Sequence, residues 1–101
     1  MSDFVRVSSL AELQPGQART VEVGGNAVAL YNVGGTVYAT SNTCAHRGGP
    51  LGEGSLDGTV ITCPWHGFQY DVTTGVCKTS AALKVQSVAV RVNGQDILIQ
   101  V

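Results

Sequence analysis

Apolar and polar positions alternate along much of this chain with the period of two that belongs to half-buried β-strands. Phe4-Val5-Arg6-Val7 predicts a first strand, and Ser8-Ser9-Leu10-Ala11-Glu12-Leu13 predicts a single capped helical turn that Pro15-Gly16 ends. Three short β-rich runs come next, from Thr20 to Val23, Ala27 to Val33 and Thr36 to Thr40, separated by Gly24-Gly25-Asn26 and Gly34-Gly35. Such short glycine turns predict tight antiparallel hairpins. Leu56-Asp57-Gly58 predicts a turn before a strand Thr59-Val60-Ile61-Thr62. Phe68 to Val72 reads as another strand, stopped by Thr73-Thr74-Gly75. Lys84 to Val92 and Asp96 to Val101 predict a hairpin about Asn93-Gly94. No long helix is predicted, and many short strands with frequent turn signals indicate an all-β sandwich or barrel.

At 101 residues the chain is expected to be one domain spanning 1–101, too short for a second catalytic unit. A hydrophobic fraction of 44% and a charged fraction of 13% argue for a packed core rather than disorder. The net charge is −1 and the six Lys and Arg residues are dispersed, so no nucleic-acid partner is expected. Met1 to Arg6 lacks a basic segment followed by an apolar run, and no stretch approaches the roughly 20 apolar residues of a membrane span. A soluble, cytoplasmic protein with no membrane partner is expected.

Candidate chemistry is concentrated in two short pieces, Cys44-Ala45-His46 and Cys63-Pro64-Trp65-His66, with residues 47–62 between them. The chain holds only two histidines and three cysteines, and four of these five side chains fall in this pattern. An odd cysteine count, with two cysteines beside histidines, favours metal ligation over a disulfide framework. Two thiolates and two neutral imidazoles could hold zinc or a mixed-ligand iron–sulfur cluster. A zinc finger groups its cysteines in one knuckle and its histidines on one helix. Here each half carries one of each and no helix comes after either, which disfavours zinc. A two-iron cluster has two distinct ends, and two parallel loops could each serve both irons. Its sulfides need close backbone approach, which suits Gly48, Gly49, Gly52 and Gly67.

The wording of both pieces, Cys44-Ala45-His46-Arg47-Gly48-Gly49-Pro50-Leu51 and Cys63-Pro64-Trp65-His66-Gly67-Phe68, closely resembles the Rieske family, whose signature is C-x-H, a gap, then C-x-x-H. The resemblance extends over nearly the whole chain, including Ala27-Val28-Ala29-Leu30, Gly35-Thr36-Val37-Tyr38-Ala39 and Tyr70-Asp71-Val72 to Gly75. It implies an antiparallel β-sandwich with a small cluster-binding subdomain, about residues 43–73, made of two loops. It also implies one [2Fe–2S] cluster per chain, with Cys44 and Cys63 on the buried iron and His46 and His66 on the outer iron. Arg47, Gly48, Trp65, Gly67 and Tyr70 are the candidate residues around these ligands.

Departures from the family pattern indicate the branch. High-potential members carry an extra cysteine in each loop, joined as a disulfide, and a serine after the His-Gly pair. Gly48, Trp65 and Phe68 stand at those positions here. Fewer donors to the cluster lower the potential, although Tyr70 stands where a donor tyrosine does in those members. The free ring nitrogens of the histidines further couple potential to pH. The resemblance therefore points to a low-potential Rieske ferredoxin of the aromatic-ring-hydroxylating systems. Such a protein carries one electron at a time from a flavin-containing ferredoxin reductase to a terminal oxygenase. A fully ligated cluster leaves no position for substrate, so the protein is expected to be an electron carrier and not itself an enzyme.

Arg47, Pro50, Leu51, Trp65 and Phe68 are candidates for the docking surface, where small, fast-exchanging contacts are expected. The alternatives are the small subunit of an assimilatory nitrite reductase, which commonly lacks the ligands, and a structural zinc module. With two histidines in all, none is left for a mononuclear iron.

Cys77 lies outside the motif and reads as a small core or surface residue, and Glu53 and Asp57 as turn and surface residues. Rieske proteins usually cover the cluster with a proline-containing loop. Its counterpart, Thr79-Ser80-Ala81-Ala82-Leu83, has no proline, so weaker shielding is expected on that side.

Overall fold

The protein's structure is a computed structural model that describes residues 4–23, 25–42, 50–65, 67–80 and 83–100. Among these residues the chain is built from strands β1 (Phe4–Ser9), β2 (Ala18–Val23), β3 (Asn26–Val33), β4 (Thr36–Ser41), β5 (Ser55–Asp57), β6 (Val60–Thr62), β7 (Gln69–Asp71), β8 (Ser87–Val88), β9 (Val90–Asn93) and β10 (Asp96–Gln100). A single 3-10 turn, Leu51–Glu53, precedes β5. All strand pairings are antiparallel and form three sheets, ordered β1-β10-β9, β2-β3-β4-β8 and β5-β6-β7. This is the all-β sandwich that the residue pattern predicts, joined to a smaller unit that carries its own three-stranded sheet.

β3 explains how the layers hold together. Its run Ala-Val-Ala-Leu-Tyr is apolar at consecutive positions, so a period of two places apolar side chains on both faces. Val28 and Leu30 pack with Ile97 and Ile99 of β10 in one core. Ala29 and Tyr31 pack with Ile61, Tyr70 and Val72 in the other. Each fully buried side chain of this size contributes about 1.5–3 kcal/mol. The middle sheet is thereby covered on both sides, by the first sheet on one and by the β6–β7 hairpin on the other. Tyr31 keeps its hydroxyl satisfied in this interior, 2.8 Å from Thr40 Oγ1, and burial pushes its phenol pKa up.

The hairpin turns track the glycines. Val33 pairs with Thr36 across Gly34-Gly35, both at positive φ (58° and 102°), the backbone that a two-residue hairpin turn of the primed type requires. Other predicted boundaries shift. The turn predicted over residues 8–13 begins later and is not a regular helix, because β1 continues to Ser9, which pairs with Asp96. After Ser9 the chain makes a tight turn closed by two successive i→i−3 bonds, Glu12 N–H donating to Ser9 O and Leu13 N–H to Leu10 O. Asn32 Nδ2 secures it by donating to Leu13 O at 2.8 Å, and Leu13 is fully buried.

The run 84–92 is not one strand. β8 pairs with β4 in the middle sheet while β9 pairs with β10 in the first, so the chain changes sheets at Ala89, whose carbonyl accepts Gln100 N–H. The final hairpin turns at Gly94-Gln95, with Asn93 paired to Asp96. The residue pattern does not predict β5, since three residues are too few for alternation to register. The turn expected at 56–58 therefore falls at Gly58-Thr59.

Gly75 shows where the fold has no tolerance. Its φ is +82°, and a Cβ there would run into the Val85 carbonyl oxygen. The two segments touch because Val85 N–H donates to Gly75 O at 2.8 Å. Gly58 also has positive φ (+61°) but open space around it. Gly75→Ala is expected to cost about 2–4 kcal/mol by denaturant unfolding and Gly58→Ala only about 1 kcal/mol. Equal effects at the two sites would contradict this packing.

Candidate metal centre

The second ligand piece sits at the tip of the β6–β7 hairpin. Along β6 the inward positions are Ile61 and then Cys63, and Tyr70 on β7 lies directly opposite Ile61. Cys63 N–H donates to Phe68 O at 2.7 Å, closing a four-residue tip, 64–67. Gly67 has φ +72° with open space where a Cβ would be, so the turn itself demands glycine there. Within the tip the environment changes sharply. Cys63 is 1% exposed, while Trp65, two residues on, is 49% exposed, and Pro64 and Gly67 are also exposed.

Trp65 N–H donates to Cys63 Sγ at 3.4 Å. A buried thiol would not ionise readily, but an amide aimed at the sulfur favours the thiolate that binds metal. A soft sulfur held inside, with an amide on it and an exposed turn beyond it, is the donor arrangement an iron–sulfur cluster fits. Of the four predicted ligands, Cys63 is the one among the described residues. Cys44, His46 and His66 lie outside them, as do Arg47, Gly48 and Gly49, so the described residues bring no three potential ligands together.

The first ligand piece is framed on both sides. β4 ends at Ser41, and the 3-10 turn begins at Leu51, which is fully buried in the same apolar cluster as Cys63. That burial corrects one expectation: Leu51 belongs to the core and offers nothing to a docking surface. Pro50 and Phe68 are half-buried, and Trp65 presents the largest apolar surface of the candidates. Gly52 departs from its expected part as well. Its N–H donates to Asn42 Oδ1 at 2.7 Å, and a Cβ would collide with Thr20 Oγ1 and the Arg19–Thr20 backbone. It is glycine because the 3-10 turn lies directly on β2. The residue pattern marks neither Asn42 nor this contact; an asparagine two residues before a predicted ligand cysteine is the one signal it carries.

Tyr70 is fully buried on β7, in the cluster that includes Cys63. Glu53 and Asp57 are exposed, as expected. Cys77 is 2% exposed and packs in the same core, which bears out the reading of a small core residue. It also organises the segment without proline. Cys77 N–H donates to Leu83 O at 3.1 Å and Ser80 N–H donates to Cys77 Sγ at 3.3 Å. Thr79 Oγ1 accepts Gln69 N–H at 3.0 Å. The segment is thus tied to β7 and to itself at its described ends, while Ala81 and Ala82 lie outside the described residues.

Comparison with known proteins agrees with this geometry. The chain is 44% identical over 78 residues to Ferredoxin CarAc of Metapseudomonas resinovorans, covering 76% of this chain and 73% of that protein. It superposes with TM-score 0.86 and 36% identity on a chain of the solved "Complex of reduced oxygenase and oxidized ferredoxin in carbazole 1,9a-dioxygenase", covering 95% of this chain and 91% of the other. The solved "putative NADH-dependent nitrite reductase small subunit from Mycobacterium tuberculosis" has TM-score 0.90 with 20% identity, covering 100% of this chain and 96% of the other, a likeness of fold alone. The family model of the Rieske [2Fe-2S] domain matches residues 3–99, and the chain therefore belongs to the Rieske [2Fe-2S] domain family.

Proposed function

We propose that the chain is a low-potential Rieske ferredoxin that carries single electrons from a flavin-containing reductase to a terminal ring-hydroxylating oxygenase. The observation that carries this reading is the β6–β7 tip, where a buried cysteine sulfur and an exposed surface lie within two residues of each other. A bound [2Fe–2S] cluster supplies reversible one-electron chemistry. Cys44 and Cys63 would hold it on the protein side and His46 and His66 on the outer side, within a cluster-binding subdomain of about residues 43–73. Similarity to Ferredoxin CarAc, and to a chain of the complex of oxygenase and ferredoxin in carbazole 1,9a-dioxygenase, supports the assignment. Nitrite reductase small subunits share the fold at much lower identity. A soluble, cytoplasmic carrier is part of the same proposal, and among the described residues no helix is long and apolar enough to cross a membrane.

The chain's residues divide the work by burial. The apolar shell of Leu51, Ile61, Tyr70 and Cys77 excludes water from the Cys63 side, and Trp65 N–H steadies the sulfur. The Trp65 indole, exposed within the second ligand piece, is the candidate contact for the oxygenase. An aromatic with about half of its surface exposed at a loop tip is the kind of anchor that dominates small interfaces. Gly48, Trp65 and Phe68 leave the site without the disulfide and hydroxyl donor of the high-potential branch.

The purified protein is expected to contain two irons and two sulfides per chain, which zinc loading would contradict. Its midpoint at neutral pH is expected in the lower part of the range of roughly −150 to +300 mV, and a value above about +150 mV would overturn the low-potential assignment. Trp65→Ala is expected to change unfolding free energy by less than about 0.5 kcal/mol, because much of the indole is already in water. The same variant should slow electron delivery to the oxygenase about tenfold in stopped-flow assays; an unchanged rate would remove Trp65 from the docking surface.

A further inference from the structure

Asn42 makes contacts that the fold alone does not require. It comes directly after the last residue of β4 and is 8% exposed. Its N–H donates to Ala27 O at 3.2 Å, next to the start of β3. Its carbonyl accepts Leu51 N–H at 2.8 Å, and its side-chain Oδ1 accepts both Gly52 N–H at 2.7 Å and the Thr20 hydroxyl at 3.1 Å. One residue thus joins β3, β2 and the 3-10 turn. The chain leaves Asn42 and is bonded back to it at Leu51 and Gly52, so the two positions that flank residues 43–50 are fastened to one another.

Two further observations place this fastening under the site. Leu51 is fully buried in the apolar cluster that contains Cys63, so the returning end of the first loop and the sulfur of the second share one core. Gly52 has no room for a Cβ against Thr20 and Arg19, so the 3-10 turn cannot slide along β2 once the Asn42 bonds are made. Cys44 and His46 lie two and four residues beyond Asn42.

We infer that Asn42 is a positioning residue for the cluster: its side-chain oxygen fastens the base of the first ligand loop to the sandwich and thereby governs how firmly Cys44 and His46 hold iron. This rests on the reading of Cys44 and His46 as ligands. With Asn42 and Leu51 held together, Cys44 and His46 would stay near iron when one bond to it breaks; with that fastening lost, they would be free to leave. Asp at position 42 keeps the accepting oxygen, and Ala removes it.

The test uses holoprotein whose two irons and two sulfides have first been measured, since wild-type protein without them defeats the cluster reading itself rather than this one. Bleaching of the visible spectrum is monitored under an iron chelator, and hydrogen exchange is monitored by mass spectrometry over residues 50–54. Asn42→Ala is expected to lose its cluster about tenfold faster and to expose this segment to exchange by a similar factor, the size of effect a lost buried hydrogen bond gives. Asn42→Asp, which keeps the accepting oxygen, is expected to restore both to within about threefold of wild type, whereas Asn42→Leu, which fills the space without an acceptor, is expected to bleach and exchange as fast as Asn42→Ala; rescue by Leu would reduce the role to packing and overturn the inference. Bleaching of Asn42→Ala at the wild-type rate, or of Asn42→Asp as fast as Asn42→Ala, overturns the inference. Wild-type holoprotein supplies a check that needs no variant: free exchange over residues 50–54 with the cluster intact would overturn it as well.

Discussion

The structure depends on the burial of both faces of β3. An apolar strand covered on one side only would expose either Val28 and Leu30 or Ala29 and Tyr31 to water, at roughly 1.5–3 kcal/mol for each large side chain. Covering the second face is what the β6–β7 hairpin does, through Ile61, Tyr70 and Val72. The metal-binding half of the chain is therefore an extension of the sandwich core. Cys63 comes after Ile61 on the same inward-facing side of the chain, so the hydrophobic register that seats the hairpin also sets the depth of the sulfur.

Depth and exposure have to be reconciled within a very short piece of chain. A buried thiolate is costly unless donors face it, and Trp65 N–H supplies one at 3.4 Å. Electron exchange with another protein needs the opposite, a surface that a partner can reach. The hairpin tip meets both demands because Cys63 N–H and Phe68 O close it after only four residues, with Gly67 taking the left-handed backbone that so tight a turn needs. Cys77 and Asn42 play comparable parts on the flanks. Each is buried, and each accepts a backbone N–H with its side chain, Cys77 from Ser80 and Asn42 from Gly52 of the 3-10 turn.

Much of this is legible in the residues. Period-two alternation locates most strands, glycine pairs locate the hairpins, and the paired Cys and His spacing identifies the family. The misses have physical causes. β5 is too short for alternation to register, and its existence depends on pairing with β6. The strand expected at 84–92 carries no breaker, yet competition between β4 and β10 for its backbone divides it at Ala89. Leu51 reads as a surface residue from its place beside a ligand loop, and only tertiary packing reveals it as core. Asn42 and Gly52 could not be paired from sequence because their bond spans ten positions, beyond the reach of any local spacing rule.

In the proposed cluster two thiolates would hold one iron and two imidazoles the other. Mössbauer spectroscopy of the oxidised, iron-57-enriched protein addresses this arrangement most directly, because thiolate and imidazole ligands give an iron nucleus different surroundings. Asymmetric ligation gives two distinct iron environments in equal amounts. A single environment shared by both irons would contradict it.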